Sequence, residues 1–193
     1  DLTPGLANRL CLPFCKRICA SFPETLEHLP KNKAVLTGTP VREELLRGCR
    51  EVGLRFLGFT TSKPLLMIMG GSQGATALNQ IVRSALSNLK NYYQVVHLCG
   101  PGRLDPYLKG SEGYTQFEFL RGELADVLAA ADLIVSRAGA NSLFELLALN
   151  KPALLIPLPR ATSRGDQILN AQSFVKLGFS KMLRQEELTE QSL

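Results

Sequence analysis

The chain has 193 residues and a mass of 21.1 kDa, with 45% hydrophobic and 20% charged side chains, 16 Gly and 11 Pro. Such a composition folds around its own core without disulfide or metal staples, and it is neither disordered nor collagen-like. The 22 Lys and Arg against 17 Asp and Glu leave +5, but residues 1–60 carry 9 basic and 6 acidic groups and the rest 13 and 11, so no basic stripe for nucleic acid forms. A spread excess of this size suits an anionic small molecule or membrane surface as well as an ordinary solvated surface. Apolar runs such as Leu65 to Met69 have the length of a strand, far short of the ~18 residues of a membrane span.

In chain order, Asp1-Leu2-Thr3-Pro4 predicts a helix start with Thr3 as N-cap and Pro4 at the first helical position. With neither an initiator Met nor a signal peptide before it, the chain is expected to begin inside a longer protein. Cys11, Cys15 and Cys19 follow at four-residue intervals without a His or carboxylate at ligand spacing. They are expected to be reduced, partly buried thiols of a cytosolic protein, not zinc ligands. Ile18 to Phe22 is strand-like, and Pro23 to Lys33, rich in Pro and charge, reads as a linker. From Leu65 onward strand and helix periods alternate. The Leu65–Met69 run is a buried strand, and Leu78, Ile81, Val82, Ala85, Leu86 and Leu89 then form one apolar stripe on a helix. Strands are expected at Gln94–Cys99, Gln116–Phe119, Leu133–Val135 and Ala153–Leu158. Helices are expected at Gly122–Ala131, Ser142–Leu149 and Asp166–Leu177, the last stopped by Gly178. This βαβ spacing predicts an α/β fold, a Rossmann-like doubly wound parallel sheet.

Ligands of such sheets bind beyond the carboxyl ends of the strands, and the unusual residues collect there. Gly70-Gly71-Ser72-Gln73-Gly74-Ala75 lets the backbone approach an anion at a helix N-terminus, although a tight turn would favour glycine too. It lacks the Gly-Lys-Ser/Thr of a P-loop and is not a G-x-G-x-x-G. The next strand ends in Cys99-Gly100 with no carboxylate for an adenosine ribose, which weakens NAD as the ligand. Ser136-Arg137-Ala138-Gly139-Ala140-Asn141 opens an apolar helix in which Glu145 is the lone charge. Ser142-x-x-Glu145 has the form of a capping box, and a carboxylate there equally suits a ribose diol. Gln167 and Asn170 share a helix face, where amides read sugar hydroxyls or simply face water, and Asp166 is placed to cap that helix. His97 lies inside an apolar strand and His28 in the linker, and neither pairs with a Cys or Ser at catalytic spacing. No H-E-x-x-H, G-x-S-x-G or C-x-x-C occurs, so the residues describe a binding site without a general base.

Taken together, Thr37-Gly38-Thr39-Pro40-Val41-Arg42, Gly70 to Ala75, Ser136 to Ser142 with Glu145, and Asp166-Gln167-x-x-Asn170-Ala171 resemble the MurG family. These are the peptidoglycan N-acetylglucosaminyltransferases that convert lipid I to lipid II. The resemblance implies one lobe of a GT-B glycosyltransferase. Residues 1–37 would be the tail end of the acceptor lobe with a linker, and 38–193 the UDP-sugar-binding lobe, lacking a closing C-terminal helix. It implies UDP-N-acetylglucosamine as donor, with Arg42 and the backbone at Phe119 and Leu120 on uracil. Gly71, Ser72, Gln73 and Gly74 would hold the diphosphate, Ala140, Asn141 and Ser142 would line the site, Glu145 would take the ribose, and Gln167 and Asn170 the sugar. The acceptor, lipid I, and the base for an inverting transfer would belong to the other lobe, at the cytoplasmic face of the membrane. No cofactor or metal is implied, and Arg160 and Arg164 have no assigned role. Two other readings stay open: a related GT-B enzyme with a different sugar or glycolipid acceptor, and a non-catalytic nucleotide-binding module.

Overall fold

The computed structural model describes residues 1–71, 75–161 and 163–193. The chain opens with helix α1 (Leu6–Cys11) and a two-stranded parallel pair, β1 (Ile18–Ala20) and β2 (Ala34–Leu36), and then helix α2 (Arg50–Leu57). The alternating part follows: β3 (Leu65–Met69), α3 (Thr76–Tyr92), β4 (Gln94–Leu98), β5 (Tyr114–Phe117), α4 (Leu124–Ala130), β6 (Leu133–Ser136), α5 (Ala140–Ala148), β7 (Ala153–Leu155), α6 (Asp166–Lys176) and β8 (Lys181–Met182). Six strands form one sheet in the order β5-β4-β3-β6-β7-β8, with every neighbouring pair parallel. The chain leaves β3 outward through β4 to β5 and returns to β6 on the other side of β3. This puts the reversal of strand order between β3 and β6, where a crevice opens at the carboxyl ends.

Both faces of the sheet are covered, which is why the central strands read as continuous apolar runs. The two-residue period of β3 divides its side chains: Leu65 and Met67 face a core shared with α2, α4, α5 and α6, while Leu66 and Ile68 face Leu78, Val82, Ala85, Leu86 and Leu89 of α3. The predicted α3 stripe is therefore the packed face, with Ile81 at its edge. The α2 segment approaches α4 so closely that a Cβ on Gly48 would run into the Ala125 carbonyl, and one on Gly53 into that of Asp126. The bidentate Arg50–Asp132 pair and the bond from the Cys49 N–H to Asp126 tie the same segments together.

The amino-terminal third departs from expectation. Thr3 does not cap a helix: α1 begins at Leu6, and the Thr3 hydroxyl instead donates to Asp166 Oδ1 at 3.0 Å. Pro23–His28 is a 3₁₀ helix flanked by buried Phe22 and Leu29, so this stretch is packed structure and not a free linker. The Phe22 ring meets Phe144 of α5 and Phe174 of α6 edge to face, with centroids 5.2 and 6.1 Å apart. Cys11 and Cys19 are exposed and Cys15 half-buried; of the five free thiols only Cys99 is in the interior. Among the described residues no group of His, Cys, Asp and Glu has the arrangement of a metal site, and no helix is long and apolar enough to cross a membrane.

Candidate functional site

Among the described residues, those expected at the site lie at or near the carboxyl ends of β3, β5, β6 and β7. After β3 the chain passes Gly70 into Gly71, whose φ of +86° is a left-handed conformation that glycine adopts at little cost. Ser72, Gln73 and Gly74 lie outside the described residues. Beyond them Ala75 is buried and α3 begins, its positive end directed at the crevice. Arg103, half-buried in the turn after β4, donates to Thr76 Oγ1 at that helix end and brings a cation that sequence reasoning did not single out.

The segment after β6 supplies the most connected part of the site. α5 starts at Ala140 with Gly139 as N-cap, two residues earlier than the sequence suggests. Asn141 and Ser142 therefore sit inside the first turn, and the capping box expected of Ser142 and Glu145 is not formed. Glu145, its side chain 17% exposed, instead accepts Arg42 Nε on Oε1 at 2.9 Å, across 103 residues of sequence. Arg42 is half-exposed and approaches Glu44 only at 3.8 Å, so Glu145 is its principal partner. Phe119 and Leu120 follow the end of β5. Leu120 packs on the core, while Phe119 is 53% exposed with the Arg121 guanidinium 5.2 Å from its ring centroid.

Gln167 and Asn170 share a face of α6, as their spacing requires, but that face looks inward. Gln167 Oε1 accepts the N–H groups of Ala138 and Leu158 at 3.3 and 3.1 Å. Asn170 is fully buried: its Nδ2 donates to the Ala138 carbonyl and to Asp1 Oδ1, both at 3.1 Å, and its Oδ1 accepts the Leu2 N–H at 2.9 Å. The two amides thus satisfy both backbone groups of Ala138 and fix the loop that leads into α5. Asp166 is the first residue of α6 and not its cap, which is Gly165; it pairs with Arg164 at 2.8 Å.

Arg137 was quoted in the sequence pattern without a role, yet it is the most unusual group at this end of the sheet. It is 6% exposed and forms no ion pair among the described residues. Nη1 donates to the carbonyls of Ile156 and Pro157, Nη2 donates to Gln185 Oε1 at 2.7 Å, and the buried Nε has no partner. Burial pushes its pKa below the ordinary arginine value.

His97 is a core residue, as expected. Its ring bridges Tyr114 Oη and Asn79 Oδ1, each at 3.0 Å, and Asn79 also donates to the Cys99 carbonyl. Desolvation, followed by the charge of Arg83, lowers its pKa to about 3. The unfolded chain takes up this proton near pH 6.5 and the fold does not until about pH 3, so stability falls as pH drops through that window. The expected slope is up to about 1.4 kcal/mol per pH unit between pH 6 and 4.5. Urea titrations across that range should show it, and His97→Gln should flatten it; an unchanged slope in the variant would refute the assignment. A groove of about 1170 Å³ near Lys63, Lys90 and Lys109, with Tyr114 in its lining, lies toward the opposite, amino ends of the strands, away from Gly71, Arg137, Glu145 and Gln167.

A doubly wound parallel sheet with a glycine after its first strand, a helix-borne carboxylate and inward amides near its switch point is a Rossmann-like lobe of the GT-B type. Residues 65–193 match the model of the glycosyltransferase family 28 C-terminal domain, and the chain belongs to that family. It is 54% identical over its whole length to proteins of Bacillus cereus and Lachnoclostridium phytofermentans. Both are named UDP-N-acetylglucosamine–N-acetylmuramyl-(pentapeptide) pyrophosphoryl-undecaprenol N-acetylglucosamine transferase, numbered 2 in B. cereus. The crystal structure of Acinetobacter baumannii MurG superposes with a TM-score of 0.71 at 26% identity, covering all of this chain and 53% of that one. The chain spans about 55% of the length of the curated relatives it matches. The resemblance drawn from the four motifs is borne out.

Proposed function

We propose that this chain is the donor-binding part of an inverting N-acetylglucosaminyltransferase that uses UDP-N-acetylglucosamine and acts on a lipid-linked muramyl sugar in peptidoglycan synthesis. Glu145 carries the reading: a carboxylate held by Arg42 on one oxygen keeps the other for ribose hydroxyls, at the mouth of a crevice whose helix ends favour phosphate. The relatives' printed names supply the sugar and the acceptor. Uracil would lie by Phe119, Leu120 and Arg42, the diphosphate at the turn from Gly71 through Ser72, Gln73 and Gly74, and the sugar beside Ala140, Asn141, Ser142 and Gln167. Asn170, buried below the loop, would act on the sugar indirectly by holding Ala138. The developing negative charge on the departing UDP would be stabilised by the positive ends of α3 and α5. The base for the acceptor 4-hydroxyl would come from an acceptor lobe of which residues 1–37 would be the tail end, packed against α5 and α6 through Phe22, and the whole enzyme would work peripherally at the cytoplasmic membrane face.

Calorimetric titration of the 193-residue chain with UDP-N-acetylglucosamine, UDP-glucose and NAD tests this. Millimolar or tighter binding, at least about −4 kcal/mol, is expected for the UDP compounds, with UDP-N-acetylglucosamine ahead of UDP-glucose. Preference for NAD would overturn the proposal, and equal affinity for both UDP-sugars would favour an enzyme of different sugar specificity or a nucleotide-binding module.

A further inference from the structure

Helix α6 carries a polar stripe. Asp166, Asn170 and Ser173 recur at i, i+4 and i+7, so they share one face of the helix, and each of them hydrogen-bonds to the first 25 residues of the chain. The Thr3 hydroxyl donates to Asp166 Oδ1 at 3.0 Å, the Leu2 N–H to Asn170 Oδ1 at 2.9 Å, and the Ser173 hydroxyl to Glu24 Oε1 at 2.8 Å. The first segment is itself held, because the Leu2 carbonyl accepts the hydroxyl of buried Thr25 at 2.8 Å. From the other side Arg164 pairs with Asp166 at 2.8 Å, and its Nη1 lies 3.1 Å from where a Cβ on Gly5 would stand. Gly5 has a φ of −66°, open to any residue, so what glycine supplies there is room for the guanidinium. Asp166 is thus clamped between the first segment and the loop after β7.

The same helix grips the loop that leads into α5. Gln167 accepts the Ala138 N–H and Asn170 donates to the Ala138 carbonyl, so a shift of the first turns of α6 moves both bonds that fix Ala138, two residues before α5 begins. We propose that Thr3 is a positioning residue for the donor sugar, acting through Asp166 to set the first turn of α6 and with it the Ala138 loop. This rests on the nucleotide-sugar reading above and adds to it a residue from outside the matched domain, residues 65–193. Uracil and ribose are assigned to groups on other elements, Phe119 after β5 and the Glu145–Arg42 pair, whereas the sugar is assigned to the turn at Ala140 to Ser142 and to Gln167. Thr3 therefore acts on the sugar's contribution to affinity and leaves that of the nucleotide in place.

The test is calorimetric titration of the 193-residue chain with UDP and with UDP-N-acetylglucosamine, as wild type, Thr3→Val and Thr3→Ser, and as Asp166→Ala alone and combined with Thr3→Val. The quantity read is the ratio of the two affinities. Thr3→Val, close in shape but without the hydroxyl, should weaken UDP-N-acetylglucosamine by about threefold or more while UDP stays unchanged, and Thr3→Ser, which keeps the hydroxyl, should restore the wild-type ratio. Asp166→Ala should shift the ratio at least as far, and adding Thr3→Val to it should change nothing further, because the hydroxyl acts through that carboxylate. A bond that only holds the fold would lower the urea midpoint of Thr3→Val and leave the ratio unmoved, and that pattern overturns the proposal. So does equal weakening of both ligands, or an undiminished effect of Thr3→Val in the Asp166→Ala protein. If Asp166→Ala does not fold, the valine and serine ratios decide alone. A wild type that binds neither ligand removes the nucleotide-sugar reading and this inference with it, a result distinct from normal binding of both ligands in a ratio that ignores Thr3.

Discussion

Replacing Glu145 with alanine is expected to weaken UDP and UDP-N-acetylglucosamine binding by roughly a hundredfold, about 3 kcal/mol, with little change in stability. The two halves of this expectation have separate causes. A carboxylate accepting two ribose hydroxyls makes charge-assisted bonds of about 1.5–3 kcal/mol each, part of which is offset by desolvation when the site is filled. Arg42, by contrast, is half-exposed, so removing its partner returns it to water, and a pair of this kind contributes at most about 1 kcal/mol to the fold. Calorimetry on UDP and 2′,3′-dideoxy-UDP separates a diol contact from a general loss of the site. The dideoxy ligand should bind weakly to both proteins and almost equally. If Glu145→Ala weakened the two ligands by the same factor, the carboxylate would not be reading the ribose. Glu145→Gln, which keeps an acceptor but loses the charge, should fall between the wild type and the alanine variant.

Why the sequence exposes Glu145 but leaves its partner obscure is a matter of range. A lone charge within Leu143, Phe144, Leu146 and Leu147 is conspicuous in any periodicity, whereas its contact with Arg42 spans 103 residues and has no local sign. The capping-box pattern at Ser142 misleads because Gly139 already serves as N-cap and moves the first turn two residues upstream. The α3 stripe and the β3 run were legible for the opposite reason: five or more consecutive positions obey one period and one packing partner. Strands of two or three residues, such as β2 and β8, carry too few positions to show a period. The stretch Pro23–Lys33 has the composition of a loop, and only the apolar residues at Phe22 and Leu29 hint that it is clamped to α5 and α6. Arg137 escaped notice because hydropathy treats every arginine as exposed. Its place directly after the buried Ile134-Val135-Ser136 run was the one available sign.

Asn170 should be the most stability-critical polar residue of the site, because its three hydrogen bonds are all made from a fully buried amide and join α6 to two other segments. The amide links α6 to the loop after β6 through Ala138, and to the chain's first two residues through Leu2 and Asp1. Asn170→Ala removes these bonds and leaves the Ala138 carbonyl without this donor in a buried setting, for an expected loss of about 2–4 kcal/mol. Urea unfolding should show a lower midpoint with an unchanged m-value. Donor affinity should fall too, since Ala138 leads directly into the first turn of α5. Asn170→Asp sharpens the test, being nearly identical in shape. The wild-type Nδ2 faces two acceptors, the Ala138 carbonyl and the Asp1 carboxylate, so a carboxylate at this position would face them as a third acceptor. That variant should be less stable than the alanine one at pH 7. Its deficit should shrink on acidification, because protonating the introduced carboxyl restores one donor and removes the repulsion. An aspartate variant as stable as wild type at neutral pH would mean that the amide's donors contribute nothing, and the inward face of α6 would then be held by packing alone.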